Sequence, residues 1–280
     1  MNKKIENINI ENMGTIKFEK LKSKNKKKIG NPIYKNSFYK KVTRKEISDL
    51  IDNEYIEKIL PIREKNKIYY ANARNLISPY RFDVIIKLMY IEAYIKNKNM
   101  DATRKLYLEH IRVFNNFNEP DGKKKSAKDF IEQFNKLICD VKKNGVKTII
   151  PISNSGEIID GSHRLAIAIY FNMNIPYAIF DVLDPNFNYE FFKNRGLDTY
   201  YLHMVLDYLV KDENISLIIA NENKLKNIEN KLDVFYEEKV NNDKLFCLTG
   251  KTNIKKINNV SIYLNEEKKE VYNKIKNIIK

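Results

Sequence analysis

The stretch that most constrains the fold of this chain runs from Gly156 to Phe171 and reads GEIIDGSHRLAIAIYF. Two apolar residues lead into the polar run DGSHR, and an apolar segment follows at once. A short apolar run that ends at Asp-Gly is typical of a strand entering a turn. A longer apolar run that opens with Ser is typical of a buried helix. The stretch therefore predicts a strand, a tight turn and a helix whose first residues are polar.

The residues around this stretch predict helices and strands in alternation. An amphipathic helix opens at Ser126 and is stopped by Gly145. A short hairpin over 148–159 follows, then the helix that starts at Ser162 and a buried strand over 175–182. The order helix, strand, strand, helix, strand predicts a mixed fold of the α/β (α+β) class.

Composition and turn residues divide the chain into four regions. We predict a basic, partly disordered arm over 1–42, an N-terminal helical region over 43–125, a core over 126–185 and a smaller C-terminal α/β subdomain over 186–280. Within the last region, the pattern predicts strands near 215–220, 234–236 and 245–248, with a helix over 221–232 between the first two. A chain of 280 residues is long enough to bury a substantial core.

The net charge of +15 is concentrated at the N-terminal end of the sequence. Residues 1–45 hold 14 Lys or Arg against 3 Glu, which leaves about +4 for all the other residues. This distribution argues against a long basic groove on the folded body. It is compatible with an arm that touches nucleic-acid phosphates without reading sequence, and equally with a solvated tail.

No apolar run is long enough for a transmembrane helix, and no apolar segment follows the basic N-terminal residues as it does in a signal peptide. We therefore predict a cytoplasmic protein without a membrane span. The two cysteines, Cys139 and Cys247, are too few for a disulfide framework or a zinc site, and we expect both to be reduced.

The polar run at the start of the predicted helix has the residue types of an anion site. Gly161 permits a tight turn, and Ser162 can cap the helix. His163 and Arg164 then stand in the first helical turn, where the helix dipole disfavours cations unless an anion joins them. Phosphate suits this arrangement, and Asp160 could hold Mg²⁺ or orient a hydroxyl group.

A second interpretation of the same residues needs no ligand. Arg164 can pair with Asp160 or Glu157 inside the protein, and His163 can simply be hydrogen-bonded in the turn. The strand-turn-helix setting favours the anion site, because a short motif gains weight from the structural context that its chemistry requires.

Three charged residues interrupt another apolar helix, YRFDVIIKLMYIEAY. Asp83 and Lys87 are four residues apart and therefore lie on one helical face, with Arg81 just before them. Buried charges are costly unless they are paired. The set is either a structural salt bridge at the edge of the core or a functional group, in which Arg81 and Lys87 bind phosphate and Asp83 serves a metal or the acceptor.

The segment FIEQFNKLICDVKKNGVKTIIPISNSGEIIDGSHRLAIAIYFNMNIPYAIFDV resembles the core of the ParB/sulfiredoxin superfamily, over about residues 126–182. The resemblance lies in the order of the elements and in a short box that opens a helix. Sulfiredoxin carries G-C-H-R in this box, chromosome-partitioning ParB carries G-E-R-R, and the ParB-like free serine kinases carry D-G-H-H-R. The run Asp160 to Arg164 is most similar to the kinase version.

The resemblance implies a nucleotide-binding core in which the box, Gly161 to Arg164, holds the phosphates of ATP or ADP, with CTP as a further candidate. It implies Mg²⁺ at Asp160, catalytic roles for Asp160 and His163, and a base equivalent to Glu119, which precedes the core helix. Ser162 occupies the position of the reactive cysteine of sulfiredoxin, which excludes thiol-based reduction of a sulfinic acid.

Together these features predict a nucleotide-dependent phosphotransferase, a small-molecule kinase that transfers phosphate to a hydroxyl-bearing metabolite. Two alternatives stay open. The first is a ParB-like DNA-binding or nuclease-type protein that uses the basic arm, and the second is a nucleotide-binding regulator without phosphoryl transfer. The sequence leaves the acceptor and the oligomeric state undetermined.

Overall fold

The computed structural model describes residues 5–10, 14–19, 39–119, 122, 124–212, 215–221, 234–241, 244–250, 260–263 and 265–279. The predicted helix over 221–232 lies almost wholly outside the described residues. So does most of the predicted basic arm, namely residues 1–4, 11–13 and 20–38.

The described part of the chain contains ten strands and nine helices. The strands are β1 Ile5–Ile10, β2 Gly14–Glu19, β3 Tyr39–Thr43, β4 Lys65–Asn72, β5 Ile150–Ser153, β6 Asn174–Phe180, β7 Ile215–Asn221, β8 Val234–Asn241, β9 Lys244–Gly250 and β10 Val260–Tyr263. The helices are α1 Arg44–Ser48, α2 Glu54–Ile59, α3 Phe82–Lys96, α4 Met100–Asn115, α5 Ala127–Asn144, α6 Ser162–Tyr170, α7 Tyr189–Asn194, α8 Thr199–Leu209 and α9 Asn265–Ile279.

A four-stranded mixed sheet in the order β3-β4-β6-β5 positions the site. Strands β4 and β6 are antiparallel, whereas β5 and β6 are parallel and are joined through helix α6. Strand β5 lies at the edge of the sheet, which accommodates Pro151 because an edge strand leaves one side of its backbone unpaired. A mixed α/β fold is therefore shown, as the sequence predicts.

Both faces of this sheet are covered by apolar residues. Helix α6 packs against α3 and α5 on the face of the larger core, to which Tyr177 of β6 contributes. A smaller cluster on the other face joins Val42, Ile47 and Ile68 with Phe180 of β6. Because a parallel strand next to a crossover helix is covered on both sides, all four residues of β5 are buried, including the polar Ser153.

Strand β4 was not anticipated within the predicted helical region over 43–125. Within its sequence, KNKIYYAN, Ile68 is buried, whereas Lys65, Lys67 and Tyr70 are exposed. Ile and Tyr favour strands. Its partners are β3 and β6, so the sheet joins residues from two of the predicted regions. The division of the chain into four regions remains a prediction.

Two further strands lie in the arm that the sequence predicts to be partly disordered. β1 and β2 pair in antiparallel register, with Ile8 opposite Ile16. Their sequences, IENINI and GTIKFE, alternate apolar and polar residues at several positions, a strand pattern that the high charge of the arm obscured.

The C-terminal part forms a second four-stranded sheet in the order β10-β7-β9-β8, antiparallel throughout. The predicted strands near 215–220, 234–236 and 245–248 are confirmed, whereas β10 was not foreseen. Tyr236 of β8 packs against Tyr189 of α7, with ring centroids 4.8 Å apart, so this sheet adjoins the larger core. Among the described residues, no helix has the length and apolar character needed to cross a membrane.

Candidate functional site

Helix α6 begins in a turn that requires glycine. Gly161 has φ of 86°, in the left-handed region, and a Cβ added there would lie 2.6 Å from Cδ1 of Ile150. The structure makes Gly161 the cap, and no side chain within the described residues caps this helix. The predicted capping role of Ser162 is therefore wrong, because Ser162 is already the first helical residue.

The side chain of Ser162 instead accepts a hydrogen bond from Lys87 of α3. The distance from Lys87 Nζ to Ser162 Oγ is 2.8 Å, and the same Nζ lies 2.6 Å from Oδ2 of Asp83. Asp83 and Lys87 thus share one helical face, as their spacing predicts.

Arg81 completes this group, which we call the Asp83 cluster (Arg81, Asp83 and Lys87). Its Nε and Nη2 each donate to Asp83 at 2.9 Å, and its Nη1 donates to the carbonyl of Ile158 in the turn before α6. All three side chains are only 4% exposed. The cluster is therefore held at one end by the Ile158 carbonyl before α6 and at the other by Ser162, the first residue of α6.

The Asp83 cluster carries more positive than negative charge. One carboxylate faces two cations, so a buried excess of one positive charge stands at the start of α6, where the helix dipole is also positive. Burial alone would raise the pKa of Asp83, but Arg81 and Lys87 outweigh it and hold that pKa well below its usual value. Burial lowers the pKa of Lys87 despite the opposing effect of Asp83.

His163, the second residue of α6, points to a different neighbour. Its Nε2 lies 2.9 Å from the hydroxyl oxygen of Tyr107, and its ring meets Phe134 edge to face at 4.6 Å. Burial, followed by the positive charges of Lys87 and Lys124, lowers the pKa of His163 well below its ordinary value. The imidazole is therefore neutral at physiological pH.

Tyr107 and His110 of α4 complete this aromatic side of the site, and neither was among the predicted site residues. Burial raises the pKa of Tyr107 well above its usual value, so the phenol keeps its proton. The carbonyl of Tyr107 lies 2.9 Å from Nδ1 of His110, and burial lowers the pKa of His110 to about 3. The sequence signal for these two residues was their spacing, because residues three apart lie on the same face of a helix.

Glu119, the predicted base, lies beside the site in an ion pair. Its Oε1 is 2.7 Å from Nζ of Lys124, and both side chains are about one-fifth exposed. Lys124 lowers the pKa of both Lys87 and His163, which places it within electrostatic range of them. The chain enters this loop through Phe117, whose φ of 60° is uncommon for an aromatic residue and marks a tight turn.

Arg164 and Asp160 lie on the other side of the first helical turn. The Nη2 of Arg164 is 3.2 Å from Asp160 Oδ2, and its Nη1 is 3.0 Å from Asp52 and also donates to Thr148. Its side chain is 8% exposed. Of the two interpretations of Arg164, its contacts follow the internal pairing with Asp160. Glu157, the other candidate partner, instead accepts a hydrogen bond from Ser78.

Asp160 is the predicted magnesium ligand, and its carboxylate is already paired with Arg164. Over the residues described, no group of three or more His, Cys, Asp or Glu side chains could hold a metal ion. One paired carboxylate does not make a protein-built Mg²⁺ site, because Mg²⁺ requires octahedral oxygen coordination.

The structure thus divides the predicted site residues into two groups. Lys87 touches Ser162 directly and Asp83 touches Lys87, while His163 contacts Tyr107 close by. Arg164 and Asp160 face away, towards Asp52.

Comparison of the chain with protein-family models, with curated proteins and with solved structures gives no match.

Proposed function

We propose that this protein is a nucleotide-dependent phosphotransferase with a ParB-like core, in which the start of α6 binds the phosphates of the donor. ATP, ADP and CTP are the candidate donors, and a small hydroxyl-bearing metabolite is the acceptor. From α5 to β6 the elements run helix, strand, helix, strand, and the second strand of the expected hairpin is reduced to a single bridge between Ile152 and Ile158.

The observation that carries the proposal is the position of Lys87. A buried ammonium group lies 2.8 Å from the first side chain of α6 and shares its only carboxylate partner among the described residues with Arg81. A buried positive charge that is not fully balanced is costly, and an anion at the helix start would balance it. Phosphate groups at a helix N-terminus are stabilised by the backbone N–H groups and the dipole.

Ser162 would present a hydrogen-bond donor to such an anion. A lysine ammonium group only donates, so Ser162 Oγ acts as the acceptor in its bond with Lys87. The hydroxyl hydrogen of Ser162 is then left to donate to another oxygen atom, and a phosphate oxygen supplies one. Lys87 thereby orients Ser162 as well as supplying charge.

The other residues take roles that follow from their contacts. His163 is neutral and hydrogen-bonded to Tyr107, so it would act as a hydrogen-bonding group rather than as a cation. Glu119 remains the proposed base for the acceptor hydroxyl, once its pairing with Lys124 opens. We assign Arg164 to holding the turn through Asp160 and Thr148, in place of its predicted phosphate role.

Thermal-shift measurements with ATP, ADP, CTP and inorganic phosphate test the binding site. We expect nucleotides to raise the Tm of the wild-type protein and not that of Lys87→Met. Lys96→Met is the matched control, because Lys96 lies on the same helix and also pairs with a carboxylate four residues away, but in solvent. An equal shift in Lys87→Met and in the wild type would contradict the assignment.

Phosphorus NMR on mixtures of donor and pooled hydroxyl-bearing metabolites then tests transfer. A new phosphoester signal that depends on Lys87 is the expected result. Nucleotide-induced stabilisation without any phosphoester signal would identify a nucleotide-binding regulator instead.

A further inference from the structure

We propose that Ser162 is a nucleophile that first accepts the phosphoryl group itself, with Lys87 taking the serine proton, so that transfer proceeds through a phosphoserine. This inference rests on the proposed function and adds a covalent intermediate to it. The phosphoryl donor is the nucleotide, and the final acceptor is the hydroxyl-bearing metabolite.

The contact between the two side chains has the geometry of a nucleophile and its base. Lys87 Nζ lies 2.8 Å from Ser162 Oγ, within hydrogen-bond reach. A third group holds the base in place, because Asp83 Oδ2 lies 2.6 Å from the same Nζ. Asp83 is fixed in turn by two hydrogen bonds of 2.9 Å from Arg81.

The charge balance of the Asp83 cluster selects Lys87 as the group that can lose a proton. Removal of a proton from Lys87 leaves a neutral, buried Arg81–Asp83 pair, whereas a guanidinium keeps its charge in proteins. Burial and the positive end of the α6 dipole act in the same direction on Lys87. An amine at this position can accept the hydroxyl proton.

The position of Ser162 also suits the product. A phosphoserine on the first residue of α6 would carry its negative charge at the positive end of the helix dipole. The ammonium form of Lys87, created by the proton transfer, would stand beside it. The positive charge that Lys87 gains in the step would therefore be paired with the phosphoserine in the intermediate.

The step balances in atoms and protons. Lys87 first releases its own proton to solvent, which leaves the amine free to act as a base beside the neutral Arg81–Asp83 pair. The bond from Ser162 Oγ to the transferred phosphorus then forms, the bond from that phosphorus to the leaving nucleotide oxygen breaks, and the serine proton moves to Lys87 Nζ. In the second step the acceptor oxygen bonds to phosphorus, the bond to Ser162 Oγ breaks, and Lys87 returns its proton to Ser162. The acceptor loses its hydroxyl proton to Glu119, the proposed base, which passes it to solvent.

The test uses the full chain with ATP, ADP or CTP in turn, without any acceptor. Acid-quenched samples are digested and searched by mass spectrometry for one added phosphoryl group on Ser162. Exchange of label from the free product nucleotide into the donor is measured in parallel, because a covalent intermediate allows this exchange without an acceptor. The exchange detects an intermediate that is too short-lived to accumulate.

Three variants make the result specific. Ser162→Ala removes the nucleophile, Lys87→Met removes the base together with the charge proposed to bind the donor, and Ser155→Ala is the matched control. Ser155 is a partly buried hydroxyl beside a carboxylate, that of Asp184, but it lies outside the Asp83 cluster. We expect labelling and exchange in the wild type and in Ser155→Ala, and neither in Ser162→Ala or Lys87→Met.

The outcomes separate this inference from the function beneath it. Nucleotide binding and transfer to an acceptor, without phosphoserine and without exchange, would overturn the covalent route and leave the phosphotransferase standing. Exchange that persists in Ser162→Ala would also overturn it. Loss of nucleotide binding in the wild type would remove both proposals together.

Discussion

Ser162 and Arg164 lie two residues apart in α6, yet their side chains contact different parts of the protein. Ser162 accepts from Lys87 of α3, whereas Arg164 donates to Thr148 and pairs with Asp160 and Asp52. Residues two apart on a helix point in different directions, because each step rotates by about 100°. The polar box therefore serves a proposed ligand on one side and holds its own turn on the other.

Arg164→Ala is expected to destabilise the protein while leaving the nucleotide-induced rise in Tm in place. Loss of hydrogen bonds from a buried charged group costs about 2 kcal/mol in the free energy of unfolding. Urea denaturation measures it, with Arg112→Ala as the control, because Arg112 pairs with Glu109 at the protein surface. A variant of wild-type stability that no longer responds to nucleotide would return Arg164 to the phosphate site.

Asp83→Asn is expected to be far more destabilising than Lys87→Met. The first change leaves Arg81 and Lys87 buried without a counter-charge, and breaking a buried pair in this way costs about 3–5 kcal/mol. The second leaves the Arg81–Asp83 pair intact and neutral overall. Urea denaturation should show a clearly larger loss in the free energy of unfolding for Asp83→Asn than for Lys87→Met. Equal losses would contradict the charges assigned to the three residues of the cluster.

Gly161→Ala is expected to lower the free energy of unfolding by about 1–3 kcal/mol more than Gly145→Ala. Both glycines have positive φ, at 86° and 71°. A Cβ on Gly161 would meet Ile150 at 2.6 Å, whereas nothing lies within 4 Å of one on Gly145. The difference in Tm between the two variants measures the destabilisation caused by the contact of the added Cβ with Ile150. Identical Tm values would mean that the turn before α6 can shift to accommodate the Cβ.

The stability of the protein is expected to fall as the pH drops below about 6.5, the ordinary pKa of histidine. Burial holds the pKa of His110 at about 3 and that of His163 well below 6.5, so below 6.5 the unfolded chain binds protons that the folded protein does not. Each such histidine contributes a slope of about 1.4 kcal/mol per pH unit. Above 6.5 both states are neutral and this contribution is complete.

His110→Asn tests the assignment, because an amide can replace the hydrogen bond from Nδ1 to the carbonyl of Tyr107 but does not titrate. Urea denaturation between pH 4 and 7 should show that the free energy of unfolding of the variant falls less steeply with decreasing pH than that of the wild type. The difference in slope should correspond to one proton. Parallel curves for the two proteins would show that His110 is protonated in the folded state.

The fold was predictable where the signals are local. Ser126 and Gly145 bound α5, as their capping chemistry predicts, and the box begins α6 within one residue. Strand β4 was missed because a strand with polar, exposed positions is stabilised by its partners β3 and β6, which lie far away in sequence. Local composition carries little of that information.

In the site, too, contacts between residues close in sequence were predictable, whereas contacts between distant residues were not. The pair of Asp83 and Lys87 follows from a spacing of four residues, and so does that of Asp160 and Arg164. The contact between Lys87 and Ser162 spans 75 residues of sequence, and no local pattern predicts it. Tyr107 beside His163 is likewise set by the packing of α4 against its neighbours.

The unbalanced charge of the Asp83 cluster has a consequence for the protein in its cell. A ligand that binds the folded form alone shifts the folding equilibrium in proportion to its concentration relative to its dissociation constant. Occupied molecules would then be the ones that withstand proteolysis, since proteases act mainly on unfolded chains. If an anion binds the start of α6 as proposed, the abundance of this protein at a given rate of synthesis would rise with the supply of that anion.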